Sequence, residues 1–254
     1  MMGAGAEIIA LTGFPFLEAA EPLFPALENT LHRNRLKLRG GDVLVVAQKV
    51  VSKSEDRFVE LGSITPSKEA IHLARKCEKD ARLIEVILRE SQEVMRVKPG
   101  VIIVRHRSGI VLANAGVDQS NVSAGSERVL LLPEEPDRSA AAIRDKARAE
   151  FGVEIAVIIS DSVGRAWRLG TCGMCIGCAG LQPLADLRGK NDLYGRPLEV
   201  TEVAFGDELA AAASLVMGQA DEGRPVAVIR GLDYEPATGR AAQLLRPLEE
   251  DLFL

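Results

Sequence analysis

Histidine is scarce in this chain, and several common sequence signals are missing. The 254 residues contain three histidines, His32, His72 and His106, and none is close in sequence to another, which disfavours a histidine-rich zinc centre. No apolar run approaches the ~18 residues of a membrane-spanning helix, and no signal peptide opens the chain. A G-x-x-x-x-G-K-[ST] phosphate loop and a helix-opening G-x-G-x-x-G are also missing. We therefore expect a cytoplasmic protein with no membrane partner and no standard P-loop or Rossmann nucleotide site.

Net charge and cysteine content further limit which kinds of protein this chain can be. The net charge of -5 and the pI near 5.4 argue against a nucleic-acid partner. The four cysteines are expected to stay reduced in the cytoplasm, so no disulfide framework is predicted. A chain of this length buries roughly 70–75% of its unfolded surface, and the 47% hydrophobic content supplies a core. One large domain or two small ones both fit.

Strand and helix patterns alternate along the chain, with a hairpin in the middle. Short apolar runs predict strands over 7–11, the first half of 43–53, 101–107, 110–116, 128–133, 154–160 and 225–231. Helical spacing predicts helices around Leu23, Leu27 and Leu31, from a Thr65–Pro66 start, from Asp80 through Val94, over 137–151 up to Gly152, and over 203–217. These elements predict a mixed α/β (α+β) protein, with a sub-division near residue 135 at the linker-like stretch 133–136.

A carboxylate, a hydroxyl and two guanidiniums lie close together after the strand 154–160. Asp161 and Ser162 follow that strand, and Arg165 and Arg168 come directly after. Ligands of open α/β sheets collect at the carboxyl ends of strands. Hard divalent cations take oxygen ligands, and arginine clamps phosphate or carboxylate oxygens. The segment is therefore a candidate metal–phosphate site, although a strand-end aspartate that caps the next turn fits equally well.

Three other polar segments are candidates for contacts with the same ligand. Asp118 and Asn121 lie in the loop that follows the hairpin, and both residue types also suit turns. Lys49 and Lys53 flank the end of a strand and could neutralise phosphates, or could be ordinary surface lysines. The turn over 218–224 could contact a ligand or simply end a helix.

The segment 171-TCGMCIGCAG-180 carries cysteines at C-x2-C-x2-C spacing. Cys172, Cys175 and Cys178 match part of a ferredoxin-type run, but no fourth cysteine follows and Cys77 lies far upstream. Small and apolar residues alternate here as in a buried strand, where free cysteine packs as a small hydrophobe. In a regular strand Cys175 would point opposite Cys172 and Cys178. A packing role is favoured over a cluster.

Together these segments resemble coenzyme F420-0:γ-glutamyl ligase from about Gly40 to Gly231. The similarity is carried by the runs 85–104, 113-ANAGVDQSNV-122, 156-AVIISDSVGRAWRLG-170, 185–218 and 226–231. The resemblance implies a single ligase domain over 1–254 with the family's two-part mixed-sheet fold in an intertwined homodimer. Some relatives carry a C-terminal reductase-like domain, and none is expected here.

The resemblance implies a GTP-dependent ligase that joins L-glutamate to coenzyme F420-0 and extends a γ-linked oligoglutamate tail. The acceptor carboxylate would be activated as an acyl phosphate, so no side-chain nucleophile is needed. It also implies two Mg²⁺ or Mn²⁺ ions per site, with K⁺ as a further candidate ion. Asp118 and Asp161 would bind one metal, and Ser162 and Gln219 would lie near the second. The implied GTP contacts are Phe14, Pro15, Phe16, Leu17, Gln48, Lys49, Lys53, Asn121, Met217, Gly218, Ala220, Asp221, Glu222, Gly223 and Arg224.

Two departures from the family pattern leave the substrates open. The N-terminal segment reads 13-GFPFLEAAEPL-23, without the usual aspartate pair, and Gln48 replaces a small hydroxyl residue in 47-AQK-49. A paralogous ligase with a different amino acid, acceptor or nucleotide is therefore the alternative. A metal or redox protein built on the three cysteines is a more remote one.

Overall fold

The computed structural model describes residues 5–119 and 127–251, and these form a mixed α/β fold. In chain order the helices are α1 (Leu23–Arg33), α2 (Gln48–Ser54), α3 (Lys68–Cys77), α4 (Ala81–Arg89), α5 (Pro136–Phe151) and α6 (Phe205–Met217). The strands are β1 (Glu7–Ala10), β2 (Val43–Ala47), β3 (Phe58–Glu60), β4 (Ser91–Lys98), β5 (Val101–His106), β6 (Val111–Ala113), β7 (Arg128–Leu130), β8 (Ala156–Gly164), β9 (Thr171–Leu181), β10 (Ala185–Asp186), β11 (Glu202–Val203), β12 (Val226–Arg230) and β13 (Pro236–Ala237).

A six-stranded sheet in the order β1-β12-β2-β8-β9-β13 forms the centre of the fold. Only the β2–β8 pair in this sheet is parallel, in a register that places Ala47 beside Ser160. The other pairs are antiparallel, so the sheet is mixed, as predicted. The sheet takes strands from both sides of the predicted sub-division near residue 135, directly before α5 begins.

Helices cover both faces of this sheet, which explains why its central strands are almost continuously apolar. Leu44 and Val46 of β2 pack with α1 and α5, because alternate strand residues point to opposite faces. Val43 and Val45 pack with α6 on the other side. Roughly 25 cal/mol is gained per Å² of apolar surface buried, so these two layers dominate the stability of the sheet.

A smaller part of the chain has its own core. The strands β4, β5 and β6 form an antiparallel sheet against α3 and α4, and β3 pairs with β7 beside it. Its buried residues include Cys77, Ile84, Ile87, Ile102 and Val104. The predicted hairpin around Ser108–Gly109 is confirmed as the β5–β6 connection. Across the described residues, no helix combines the length and apolar character that a membrane span requires.

Three predicted boundaries are wrong. The helix that Asp80 caps ends at Arg89 rather than Val94, because the chain from Ser91 pairs with β5 as a strand. The preceding helix is capped by Ser67, whose hydroxyl accepts from the Ala70 amide, so Thr65 and Pro66 lie outside it. The polar half of 43–53, for which the sequence predicts no element, is the helix α2.

The third error concerns the candidate metal segment. β8 does not end before Asp161 but continues to Gly164, because β9 pairs with it as far as Thr171. Asp161 and Ser162 are therefore strand residues near the end of a hairpin, held by a backbone ladder rather than free in a turn.

Candidate active site

A single cleft brings most of the predicted site residues together. It has a volume of about 640 Å³, within the range of small-molecule sites. The predicted residues that line it are Phe14, Pro15, Phe16, Leu17, Gln48, Lys49, Lys53, Asp118, Asp161, Ser162, Met217, Gly218, Gln219, Ala220, Asp221, Glu222, Gly223 and Arg224. The cleft lies at the carboxyl ends of the parallel strands β2 and β8, where such folds place their ligands.

The helix α2 carries one row of polar groups into this cleft. It starts directly after β2, so the β2–β8 register places Gln48 next to Asp161. Lys49 and Lys53 are four residues apart and therefore lie on the same face of the helix. Val51 is buried against the main core instead. The sequence predicts only that these lysines flank the end of a strand. The structure shows in addition that one turn of α2 aligns them.

The carboxylates of Asp118 and Asp161 lie in the same cleft and interact electrostatically. Asp118 is fixed by backbone hydrogen bonds with Leu130 in both directions, at 2.9 and 2.8 Å. Its Oδ2 lies 2.7 Å from Lys49 Nζ. Burial raises the pKa of the half-buried Asp161, and the charge of Asp118 raises this pKa further. The Ser162 amide, which donates to Asp161 Oδ1 at 2.8 Å, opposes that rise.

The turn after α6 brings the uncharged amide oxygen of Gln219 next to the hydroxyl of Ser162. The Ser162 hydroxyl donates to Gln219 Oε1 at 2.5 Å, joining β8 to this turn. Gly218 has a φ of 80°, in the left-handed region that strains a side chain, so glycine is favoured at this position. Glu222 in turn accepts from the Ala220 amide at 2.8 Å, which holds the pKa of Glu222 below its ordinary value. The hydrogen bond between Ala220 and Glu222 therefore stabilises the turn from within.

These oxygens fit a hard divalent cation. The donor set is two carboxylates, one hydroxyl and one amide oxygen, which suits Mg²⁺ or Mn²⁺ and not a softer metal. Across residues 5–119 and 127–251 no group of three or more His, Cys, Asp or Glu side chains is placed to hold a metal. Any cation here would thus rely on Asp118 and Asp161 for its charge balance, with ligand oxygens completing the coordination.

Cationic and aromatic side chains line the rest of the cleft. Lys53 is only 7% exposed, and its ammonium lies 4.6 Å from the centre of the Phe16 ring. Burial lowers the pKa of Lys53, and the charge of Glu18 opposes this change. The Nε atom of Arg224 is buried and has no hydrogen-bond partner among the described residues. Phe16 itself is 78% exposed, so the ring face opposite Lys53 is open to a ligand.

Three predicted residues are not placed in the cleft. Asn121 lies outside the described residues. Arg165 and Arg168 are exposed in the β8–β9 connection and do not belong to the cleft lining that the structure describes. Arg165 donates to the Leu169 carbonyl at 3.4 Å.

Sequence reasoning missed other lining residues. Ser160, Thr171, Gly173 and Ser214 also face the cleft. Thr171 pairs with Gly164, so treating Gly164 and Gly170 as the two ends of a hairpin connection would have found it.

Two of the three cysteines, Cys175 and Cys178, are buried packing residues of β9. An extra residue in β9 between Gly177, opposite Ile159, and Cys175, opposite Ser160, forms a bulge. The bulge places Cys175 and Cys178 on the same face, packed towards α6, so the predicted opposition of this pair is wrong. Cys172 lies on the other face, which it shares with Met174.

The environment of Cys175 disfavours metal binding by its thiol. All four cysteines are free thiols. The neighbouring Cys178, and then burial, raise the pKa of the Cys175 thiol. The thiolate is the form that binds metals, and here it is disfavoured. The amides of Cys175 and Cys178 donate instead to Asp207 and Asp137, each at 2.8 Å.

Comparison with known proteins identifies the family. The pattern of the family described as F420-0:gamma-glutamyl ligase matches residues 13–231. The "Coenzyme F420:L-glutamate ligase" of Methanothermobacter thermautotrophicus is 45% identical over 251 residues, covering 98% of this chain and 99% of that protein. Proteins of the same name from Methanopyrus kandleri and Archaeoglobus fulgidus are 48% and 37% identical, covering 85% and 97% of this chain and 87% and 96% of their own lengths. The chain belongs to the F420-0:gamma-glutamyl ligase family.

Proposed function

We propose that this protein is a ligase that adds L-glutamate to coenzyme F420-0 and extends a γ-linked glutamate tail. The family match over 13–231 and the names of its relatives support the ligase activity and its substrates. The observation that carries the proposal is the pair Asp118 and Asp161, which lie in one cleft of ligand size beside two lysines.

The proposed energy source is GTP, bound with Mg²⁺ or Mn²⁺. Lys49, Lys53 and Arg224 present positive charge to phosphate oxygens, and the exposed Phe16 ring offers a surface for a base. Asp118 and Asp161 would hold one cation, and Ser162 and Gln219 would lie near a second. When bound, such cations offset the negative charge of the phosphates. A further K⁺ rests on the resemblance alone.

The proposed reaction needs no side-chain nucleophile. An oxygen of the acceptor carboxylate attacks the γ-phosphorus of GTP, the bond to the β-phosphate oxygen breaks, and GDP leaves. The glutamate amine then attacks the acyl carbon, the amide forms and phosphate leaves with the bridging oxygen, while the amine loses its proton. The lysines and Arg224 hold the phosphate oxygens in position, a contribution of orientation and charge rather than of covalent chemistry.

An intertwined homodimer is part of the same proposal. Two segments beyond the cleft carry large apolar side chains in water: Trp167 and Leu169 in the β8–β9 connection, and Leu193, Tyr194 and Val200 between β10 and β11. All five are at least 84% exposed. Apolar surface of this kind is typical of a surface that a partner covers.

A paralogous ligase with another acceptor or nucleotide is the second candidate. The segment 13–23, which departs from the family pattern, contributes Phe14 to Leu17 to the cleft. Gln48, the other departure, also lines it. Both changes therefore lie where they would contact a ligand.

The test is a ligation assay. The purified protein is incubated with F420-0, L-glutamate and Mn²⁺, with GTP or ATP, and products are identified by mass spectrometry. Glutamate-extended F420 that depends on GTP is the expected result. Extension with ATP alone would change the nucleotide, and no extension with either nucleotide would favour the paralogue.

A further inference from the structure

The ion pair between Lys49 and Asp118 joins two side chains to which the proposed function gives different ligands. Lys49 Nζ lies 2.7 Å from Asp118 Oδ2, and the two side chains are 37% and 21% exposed. The proposed function assigns Asp118 to a divalent cation and Lys49 to a phosphate oxygen. Each of these charges therefore already has the other as a partner within the cleft.

The two partners differ in how firmly their charged groups are held. The backbone of Asp118 exchanges hydrogen bonds with Leu130 in both directions, which fixes a short side chain in the cleft. The backbone of Lys49 is held in the first turn of α2, but its ammonium lies at the end of a flexible four-carbon stem. When the ion pair opens, the ammonium therefore moves and the carboxylate stays in place.

A divalent cation and the Lys49 ammonium compete for Asp118. Mg²⁺ binds a carboxylate oxygen at about 2.0–2.1 Å, so on Oδ2 it would lie at most about 5 Å from the ammonium. Two positive charges at that separation repel each other strongly in a partly buried cleft. Cation binding should therefore drive the ammonium away from Asp118. The released ammonium remains in the cleft, on the same face of α2 as Lys53.

We infer that Lys49 is the counter-ion that a divalent cation displaces from Asp118, and that the displaced ammonium binds a phosphate of the nucleotide. The inference rests on the metal and nucleotide sites of the proposed function. It makes Lys49 the residue that couples the two binding events. By thermodynamic linkage, the cation then tightens nucleotide binding by the same factor as the nucleotide tightens cation binding.

The Lys49→Met variant tests the competition, and Lys53→Met is its matched control. Both variants remove one positive charge from the same face of α2, but the Lys53 ammonium lies 4.6 Å from the centre of the Phe16 ring. The nucleotide-free proteins are titrated with Mn²⁺, and the free ion is followed by electron paramagnetic resonance. We expect Lys49→Met to bind Mn²⁺ about five-fold more tightly than the wild type, the lower end of typical coupling.

The controls separate competition from the general charge of the cleft. Lys53→Met should give a smaller gain in Mn²⁺ affinity, and Lys49→Arg, which keeps a positive charge beside Asp118, should give none. An equal gain in Lys49→Met and Lys53→Met, or a gain in Lys49→Arg, would overturn the inference. Thermal unfolding confirms that each variant is folded, and Lys49→Gln replaces Lys49→Met if the latter does not fold.

A second measurement tests the coupling itself. The affinity for GDP is measured by calorimetry with Mg²⁺ and with a chelator. The loss of GDP affinity in Lys49→Met should be about five-fold larger with Mg²⁺ than with the chelator, because the cation releases the wild-type ammonium for the phosphate. Lys53→Met should lower GDP affinity by a similar factor in both conditions. A loss in Lys49→Met that does not increase with Mg²⁺ would contradict the coupling.

The remaining outcomes distinguish this inference from the proposed function. Asp118→Asn is titrated with Mn²⁺ alongside the lysine variants. Mn²⁺ binding that depends on Asp118 but is not tightened in Lys49→Met would overturn the inference and leave the metal site intact. Wild-type protein that binds no Mn²⁺ would overturn the metal site, and the inference with it.

Discussion

Glu90 is buried and Asp161 is half-buried, and the surroundings of these two carboxylates shift their pKa values in opposite directions. Burial alone would raise the pKa of Glu90, which is 6% exposed, but His106, Arg107 and Arg57 together bring it below its ordinary value. The nearest atoms of these groups lie 3.6, 3.3 and 3.0 Å from Glu90 Oε2. Glu90 therefore has two guanidinium counter-charges, Arg57 and Arg107, within the fold.

Asp161 has no such set of cations. Burial raises its pKa, Asp118 adds a second negative charge, and Lys49 lowers the pKa only in part. A carboxylate of this kind gains from a cation that arrives from outside the chain. The comparison indicates how a binding site differs from a structural ion cluster: the structural cluster is balanced internally, whereas the site retains an excess of one charge.

Removing the Asp161 charge should give the largest functional effect. Asp161→Asn is expected to lower kcat/KM for ligation by at least about 100-fold, because a bound cation contributes several kcal/mol to phosphoryl chemistry. The metal-free melting temperature should stay level or rise, since a disfavoured charge is removed. Ligation kinetics and thermal unfolding measure the two effects. Full activity in this variant would refute the assignment of Asp161 as a metal ligand.

The matching change in the balanced cluster should affect stability instead. Glu90→Gln leaves Arg57 and Arg107 without their carboxylate and should cost about 3 kcal/mol of unfolding free energy, as when one member of a buried pair is removed. Urea unfolding measures this cost. Glu135→Gln, in an exposed pair with Arg138, is the control and should leave the unfolding free energy nearly unchanged. An equal loss of unfolding free energy in the two variants would show that the Glu90 cluster stabilises the fold no more than a surface ion pair does.

The pH dependence of stability should carry opposite signs for the two carboxylates. Glu90 has a lowered pKa, so its contribution is present above the unfolded value near 4.3 and is lost as pH falls through the folded pKa. Asp161 has a raised pKa, so its contribution is present below the unfolded value near 3.9 and is lost as pH rises through the folded pKa. Urea unfolding of each variant from about pH 3 to pH 7 should isolate each slope. If the unfolding free energy changed with pH in the same direction for both carboxylates, the contrast between Glu90 and Asp161 would be wrong.

The cysteines should give the smallest effect. Cys175→Ala and Cys178→Ala each remove a buried sulfur and should cost about 1 kcal/mol through the space left behind. Ligation rates should stay within about two-fold of wild type, less than 1 kcal/mol of barrier. Elemental analysis of the purified protein should find no stoichiometric iron or zinc. A bound metal that disappears with these cysteines would restore the cluster hypothesis.

The central sheet could be predicted because its strands have strong local patterns, whereas most of the cleft lining was predicted from the resemblance to a known family. The runs around Val43 and Ala156 are apolar and β-branched enough to be recognised, and Gly152 ends α5 as predicted. Errors occurred where pairing with distant strands decides the structure. Ser91 joins β5 and not the helix before it, and Asp161 lies inside β8 because β9 extends that far.

The detailed geometry of the site could not be read from residue types. The bulge in β9 that turns Cys175 to the face of Cys178 has no local sequence pattern. The hydrogen bond between Ser162 and Gln219 joins residues from two separate elements. The polar half of 43–53 was ambiguous because its lysines fit a loop as well as the helix α2.

The parallel pairing of β2 with β8 has a consequence for how the protein is made. Gln48 and Asp161 are neighbours in the cleft, yet a ribosome adds most of the smaller core between them. The turn at Gln219 is synthesised later still. Contacts between such distant segments form slowly, because the loop that joins them must first close. The emerging chain therefore holds no part of the cleft in working order until α6 has left the ribosome, so a truncated product should have no residual activity.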